Sequence, residues 1–213
     1  MFQPYIDRLT TFVSAAEFES ELVSAKRDYF RKTGEVFEDD ELFEMRMSSF
    51  FEWFLFDYRL AAVSLTPAEL FVEREQANLS EEDRVHYRNL SHTQHSLFEV
   101  GKLKPETIHL KDVFSGKPVQ VFERRKPVGI DSGDILEARL LRSNDDKLMF
   151  SPAFVFHPRD ARRRILKMVK AHKKSGLPPE DLIYRLAYLR LKLDRYKHVR
   201  AETIYSEDLE RTG

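Results

Sequence analysis

Residues 159–174, RDARRRILKMVKAHKK, set eight cations against one acid, Asp160. On a helix, Arg163, Lys167, Lys170 and Lys174 fall on one face, with Arg159, Arg162, Arg164 and Lys173 flanking it, while Ala161, Ile165, Met168 and His172 form the inward stripe. A row of cations at that spacing is chemistry for phosphates, because each phosphate neutralised releases a condensed counterion. Three fates are open for it: binding a nucleic acid, docking onto the acidic N-terminal half, or remaining a solvated amphipathic face. The apolar side has no Trp or Phe, which argues against a membrane surface.

The other residue types that do chemistry give less. His92-Thr-Gln-His95 with Glu99 has the i, i+3 histidine spacing that places two imidazoles on one side of a metal. A helix-to-strand break is predicted there, however, and no HExxH run exists, so surface or capping roles are expected. No GxxxxGK[ST], GxGxxG or GxSxG run appears, which leaves phosphate loops and a nucleophile elbow without support. Carboxylates are abundant, but no spacing singles out a pair for acid–base work. Cysteine is absent, which rules out disulfides and thiolate zinc and fits a reducing, cytoplasmic setting. The sequence assigns no catalytic residue, cofactor or metal ligand.

These residues need elements to position them. Ser14-Ala-Ala-Glu17 has the form of a capping box, followed by the stripe Phe18, Leu22, Ala25, Tyr29 and by Gly34 as a C-terminal cap. Ile6, Leu9 and Val13 make an earlier stripe. Asp39-Asp40-Glu41 is expected to open a second helix running to about Ala62. Thr66-Pro67-Ala-Glu69 and Ser80-Glu-Glu-Asp83 open two more. From residue 96 the period changes to SLFEVGKL, TIHLKDVF, PVQVFER, GDILEARLL and KLMFSPAFVF, five strand-like runs separated by turn signals. GDILEARLL alternates, with Leu136, Ala138 and Leu140 on one face and Glu137 and Arg139 on the other. After the basic helix, stopped by Gly176, Leu182, Leu186, Leu189, Leu193 and Tyr196 form a seam expected to pack on the body. ETIYSEDLERTG is expected to fray.

The most unusual stretch is FFEWFLFDYR, residues 50–59, which holds the only tryptophan, Trp53. Its aromatics surround the helix and its neighbours are acidic, so it reads as core rather than as a stacking platform for bases. Asp57 is then a carboxylate beside a core and needs a partner such as Arg59 or a backbone N–H.

Charge is unevenly placed. Residues 1–100 carry 10 Lys/Arg against 20 Asp/Glu, and residues 101–213 carry 25 against 16. Either the two halves attract each other in the fold or the protein has two working faces. No run approaches the ~18–20 apolar residues of a membrane span, and MFQPYIDRLTTF lacks signal-peptide features.

Trp53–Tyr58, Thr66–Glu69, Leu79–Glu82, Ser96–Val100, Leu110–Gly116 and Gly133–Leu140, in this order, resemble a bacterial protein group of no established reaction that is often met upstream of a SEC-C zinc motif. The resemblance covers about residues 40–160 and implies a bacterial, cytoplasmic protein. Without cysteine, no SEC-C zinc site carries over.

The expected architecture is α+β: an acidic helical region (1–95), a five-stranded antiparallel SH3/OB-like barrel (96–157), a basic helical region (158–205) and a frayed tail (206–213), forming one compact unit. The expected function is a non-enzymatic interaction or regulatory protein with a protein partner. The alternatives are nucleic-acid binding through residues 159–174 and an enzyme whose site assembles only in the fold. No membrane association is expected.

Overall fold

The structure is a computed structural model describing residues 2–123 and 129–207. Among these, eight α-helices and five strands form an α+β protein: α1 (Gln3–Val13), α2 (Glu19–Thr33), α3 (Phe43–Phe56), α4 (Pro67–Glu75), α5 (Glu81–Leu90), β1 (Gln94–Lys104), β2 (Thr107–Asp112), β3 (Pro118–Phe122), β4 (Ile135–Arg142), β5 (Leu148–His157), α6 (Arg162–Ser175), α7 (Pro179–Arg195) and α8 (Ala201–Glu207).

Local chemistry sets several of the starts. Thr66 Oγ1 accepts from the Glu69 N–H at 3.2 Å, and Glu69 returns a carboxylate to the Thr66 N–H at 2.8 Å, the reciprocal box read from sequence. Ser80 caps α5 by accepting from the Asp83 N–H. Two expected starts fail. Ser14 closes α1 by donating to the Thr10 carbonyl, and a short 3-10 turn over Ala16–Phe18 leads into α2, so no capping box forms at Ser14–Glu17. α3 begins at Phe43 because the acidic triplet before it is engaged elsewhere: Asp40 accepts from the Phe37 N–H and from Arg195. α3 also stops earlier than expected, at Phe56.

The aromatic stretch is core. Phe50, Phe54, Leu55 and Phe56 are buried with Leu9, Phe18, Tyr29, Phe30, Phe71 and Tyr87, and Phe51, Trp53 and Tyr58 pack half-buried against them.

In the sheet, β1 pairs with β2 and β4, β2 with β3, and β4 with β5, all antiparallel. β3 meets β5 parallel, through Val121 and Leu148, so the order β1-β2-β3-β5-β4 returns to β1. The sheet is therefore mixed, where an all-antiparallel one was expected. Parity gives the reason: a ring with an odd number of strands cannot close through antiparallel pairs alone. Phe98, Val100, Ile108, Leu110, Val121, Leu136, Ala138 and Leu140 fill the interior.

In β4, Glu137 and Arg139 lie on the face opposite Leu136, Ala138 and Leu140, and every residue from Ile135 to Leu141 is buried, because α3 packs over that second face of the sheet. The C-terminal helices form a separate cluster, with Ile165, Met168, Val169, Leu182, Leu186 and Leu189 against Leu97 and Ile135 of the sheet. Of the stretch expected to fray, residues 202–207 are helical, with Ile204 and Tyr205 buried; residues 208–213 lie outside the described residues. No helix among the described residues is long and apolar enough to cross a membrane.

Candidate functional site on a basic helix and in a buried charge cluster

α6 sorts its residues as its periodicity demands. Ala161, Ile165 and Met168 are buried, while Arg163, Lys167, Lys170, Lys173 and Lys174 are exposed. His172, on the inward stripe, meets the Pro178 carbonyl at 2.8 Å and the ring of Phe114. Gly176 then takes the left-handed conformation, φ +70°, that ends the helix.

Two of the eight cations are engaged internally. Arg159 donates to Asp134 and to Asp131, each at 2.7 Å, and Arg162 donates to Glu99 of β1. These contacts fasten the start of the helix to the sheet. Arg163, Arg164, Lys167, Lys170, Lys173 and Lys174 have no carboxylate partner among the described residues.

α6 packs on α7 and α8, and its tie to the acidic N-terminal half is the Arg162–Glu99 pair at its start. The acids of the N-terminal helices and their linkers are met elsewhere. Asp40 pairs with Arg195 at 2.6 Å, Glu41 with Lys197, and Asp57 and Glu52 with Arg139. The two halves do attract one another, and the basic face of α6 is left over.

The second region is assembled from distant segments. α3 lays Ser49 and Glu52 against the sheet, and Asp57 follows at its C-terminus. β4 points Glu137 and Arg139 outward into this layer, β1 adds His95, and β5 adds Ser151 and His157. Arg139, 2% exposed, is the hub. Its guanidinium clamps Asp57 with both terminal nitrogens, donates to Thr93 Oγ1 at 2.5 Å, lies 3.7 Å from Glu52 through Nε and covers the Phe56 ring at 5.4 Å. Asp57 therefore has its partner, though not the nearby Arg59, which reaches the Ser64 carbonyl and Glu69.

The two glutamates differ. Glu52 accepts from Ser151 Oγ at 2.7 Å and the Ala153 N–H at 3.1 Å, yet burial pushes its carboxyl above the usual range. Burial acts on Glu137 the same way, but the hydrogen bond from His95 and the charges of His95, His157 and Arg46 outweigh it and hold that carboxyl below the usual range. Glu137 Oε1 is 3.2 Å from His95 Nε2, while Oε2 has no partner among the described residues. His157 is buried with Nδ1 3.0 Å from Tyr205 Oη, and burial lowers its pKa to about 4.

A cavity of about 10 Å³ lies among Ser49, Glu52, Glu137 and Arg139. His95 separates it from an outer cleft of about 570 Å³ between α3, β1 and the start of α7. The contact to Glu137 through Nε2 fixes the orientation of the His95 ring between the two cavities. His92 is not part of this site; its Nδ1 meets the Arg88 carbonyl at the end of α5, and Glu99 belongs to Arg162. Among the described residues, no group of three or more His, Cys, Asp or Glu side chains is placed to hold a metal ion.

Sequence reading located the α6 face and missed His95, Glu137 and Arg139. The one available signal was two carboxylates, Glu52 and Asp57, inside an aromatic stretch, which require a buried cation from elsewhere in the chain.

Fold and sites together define an α+β protein in which a mixed five-stranded sheet carries a basic helix on one side and a buried ionic layer under another. Residues 20–179 match a family of unknown function, DUF7986, and the chain belongs to that family. No curated protein and no solved structure matches the chain.

Proposed function

We propose that the protein is a non-enzymatic interaction protein of the bacterial cytoplasm whose partner is a nucleic acid, held through its phosphates by the exposed face of α6. One observation carries this reading: Arg163, Lys167, Lys170 and Lys174 line one exposed face of a single helix with no carboxylate partner among the described residues. From Arg163 to Lys174 the row runs about 16 Å along the helix axis, long enough to meet several phosphates. The closed order of the five strands supports the finer reading of the sheet as an SH3- or OB-like barrel. OB barrels bind oligonucleotides on the face of strands 2 and 3; here Phe122, at the end of β3, lies under the Lys147 ammonium at 4.8 Å. The likeness to a group that carries a SEC-C motif contributes no residue, since the chain has no cysteine.

Binding of labelled single- and double-stranded oligonucleotides, followed by anisotropy across a salt series, tests the reading. Four to five neutralised phosphates predict an affinity loss on the order of 10²-fold between 50 and 200 mM salt. Arg163→Ala with Lys167→Ala should weaken binding to all sequences alike and flatten the log–log salt slope by about 2. Salt-independent binding, or none at low salt, sinks it. Recovery of an acidic protein from a nuclease-treated pull-down, with no oligonucleotide affinity, would move the surface to a protein partner.

A further inference from the structure

The outer cleft is built unlike the α6 face. Its two walls each present an aromatic and a carboxylate one helical turn apart: Trp53 and Asp57 from α3, and Tyr184 and Glu180 from α7. The walls are joined where Trp53 Nε1 donates to Tyr184 Oη at 2.8 Å. Thr93, Gln94 and His95 from the β1 edge make the floor.

A donor and acceptor census identifies what such a cleft takes. Several of its donors are engaged, the indole N–H on Tyr184, Gln94 Nε2 on Asp112 at 3.1 Å and the Arg139 guanidinium on Asp57 and Thr93, which leaves the Tyr184 and Thr93 hydroxyl protons. Its remaining acceptors are the Glu180 carboxylate and the Gln94 carbonyl. The carboxylates that line the cleft itself are Asp57, which Arg139 pairs from the layer beneath, and Glu180, for which no cationic partner is found among the described residues. One cation of the chain is already drawn to the cleft's rim, since the Lys32 ammonium lies 5.2 Å from the centre of the Tyr184 ring. The Tyr184 hydroxyl is held up to about 12, by burial first and then by the negative charges of Asp57 and Glu180, which places both carboxylates within electrostatic reach of one point. A volume of about 570 Å³ falls within the ordinary range for small-molecule sites.

We infer that this cleft binds a small organic cation with an ammonium or guanidinium head, its N–H groups directed to Glu180 and Gln94 and its charge set against Trp53 and Tyr184. The site is separate from the α6 face, and the charged side chains that line it are carboxylates rather than lysines and arginines.

Trp53 is the only tryptophan in the chain, so its fluorescence reports this cleft alone. The intact protein is titrated at low ionic strength with agmatine, which carries a guanidinium and an ammonium, with putrescine, and with butanediol as the neutral counterpart. Saturable changes are expected with one or both cations at millimolar concentrations, and none with butanediol; which cation binds tighter distinguishes a guanidinium from an ammonium site. Glu180→Gln is exposed and leaves the fold intact, and it should weaken binding about threefold. Tyr184→Leu should weaken it about fivefold or more. The Arg163→Ala, Lys167→Ala protein should bind as the parent does, which keeps this test independent of the nucleic-acid reading. No saturable change with either cation, an equal response to butanediol, or unaltered affinity in Glu180→Gln overturns the inference.

Discussion

The basic face of α6 and the ionic layer beneath α3 use the same kinds of residue to opposite ends. On α6, charges of one sign face solvent without partners, and the helix is held by the apolar stripe on its other side. Beneath α3, Arg139, Glu52 and Glu137 are removed from water and depend on partners: Arg139 on Glu52 and on the more exposed Asp57 at the rim, and Glu137 on His95. The first arrangement can be altered with little effect on folding and a large effect on a polyanionic partner. In the second, folding and site geometry are inseparable.

The largest expected effect is at the hub of the layer. Arg139→Ala leaves Glu52 and Asp57 without their cation and should destabilise the protein by about 3–5 kcal/mol in urea or guanidinium unfolding. Most of that is the penalty of orphaned carboxylates, so adding Glu52→Gln should restore part of it, a coupling visible in a double-mutant cycle. A loss below about 1 kcal/mol would show that water reaches this layer and would erase the contrast with α6.

Acid should separate the two regions next. His157 has a folded pKa of about 4, below its unfolded value, so the native state binds fewer protons. The stability it contributes is fully present above the unfolded pKa near 6.5 and is lost as pH falls through about 4, about 3 kcal/mol in all. Glu137, with its carboxyl held low, acts in the same direction at lower pH; Glu52, held high, opposes both, since its protonation favours the folded state. Chemical unfolding at pH 7 and pH 4.5 should therefore show a marked loss, and His157→Phe should flatten the dependence above pH 4.5 whatever its effect at neutral pH. A pH dependence unchanged in His157→Phe places the acid sensitivity elsewhere.

The same contrast explains what was legible in the sequence. The α6 face, the Thr66 box, the Ser80 cap and the five strand runs are written in residues three or four apart, or alternating, where local geometry decides. The ionic layer joins His95 to Glu137 across 42 residues, Asp57 to Arg139 across 82 and Glu52 to Ser151 across 99. No local period reports such a meeting. Glu137 and Arg139 look like the wet face of a strand because alternation states which residues share a face, not what covers it. The Ser14 box and the acidic start at Asp39 failed for a related reason, since Ser14 and Asp40 found other partners. The mixed sheet, by contrast, was available in advance: five strands and closure together force a parallel pair.

The smallest expected effect is on α6 itself. Removing Arg163 and Lys167 takes away two exposed side chains with no partner among the described residues and relieves repulsion between like charges one turn apart. Alanine is also the best helix former. The double variant should unfold within about 0.5 kcal/mol of the parent, in either direction, and any gain should shrink as salt screens the repulsion. This near-silence in folding is what gives the oligonucleotide experiment its meaning. If the double variant were instead destabilised by about 2 kcal/mol, these cations would be holding the fold together as Arg139 does, and a loss of binding could no longer be assigned to the face itself.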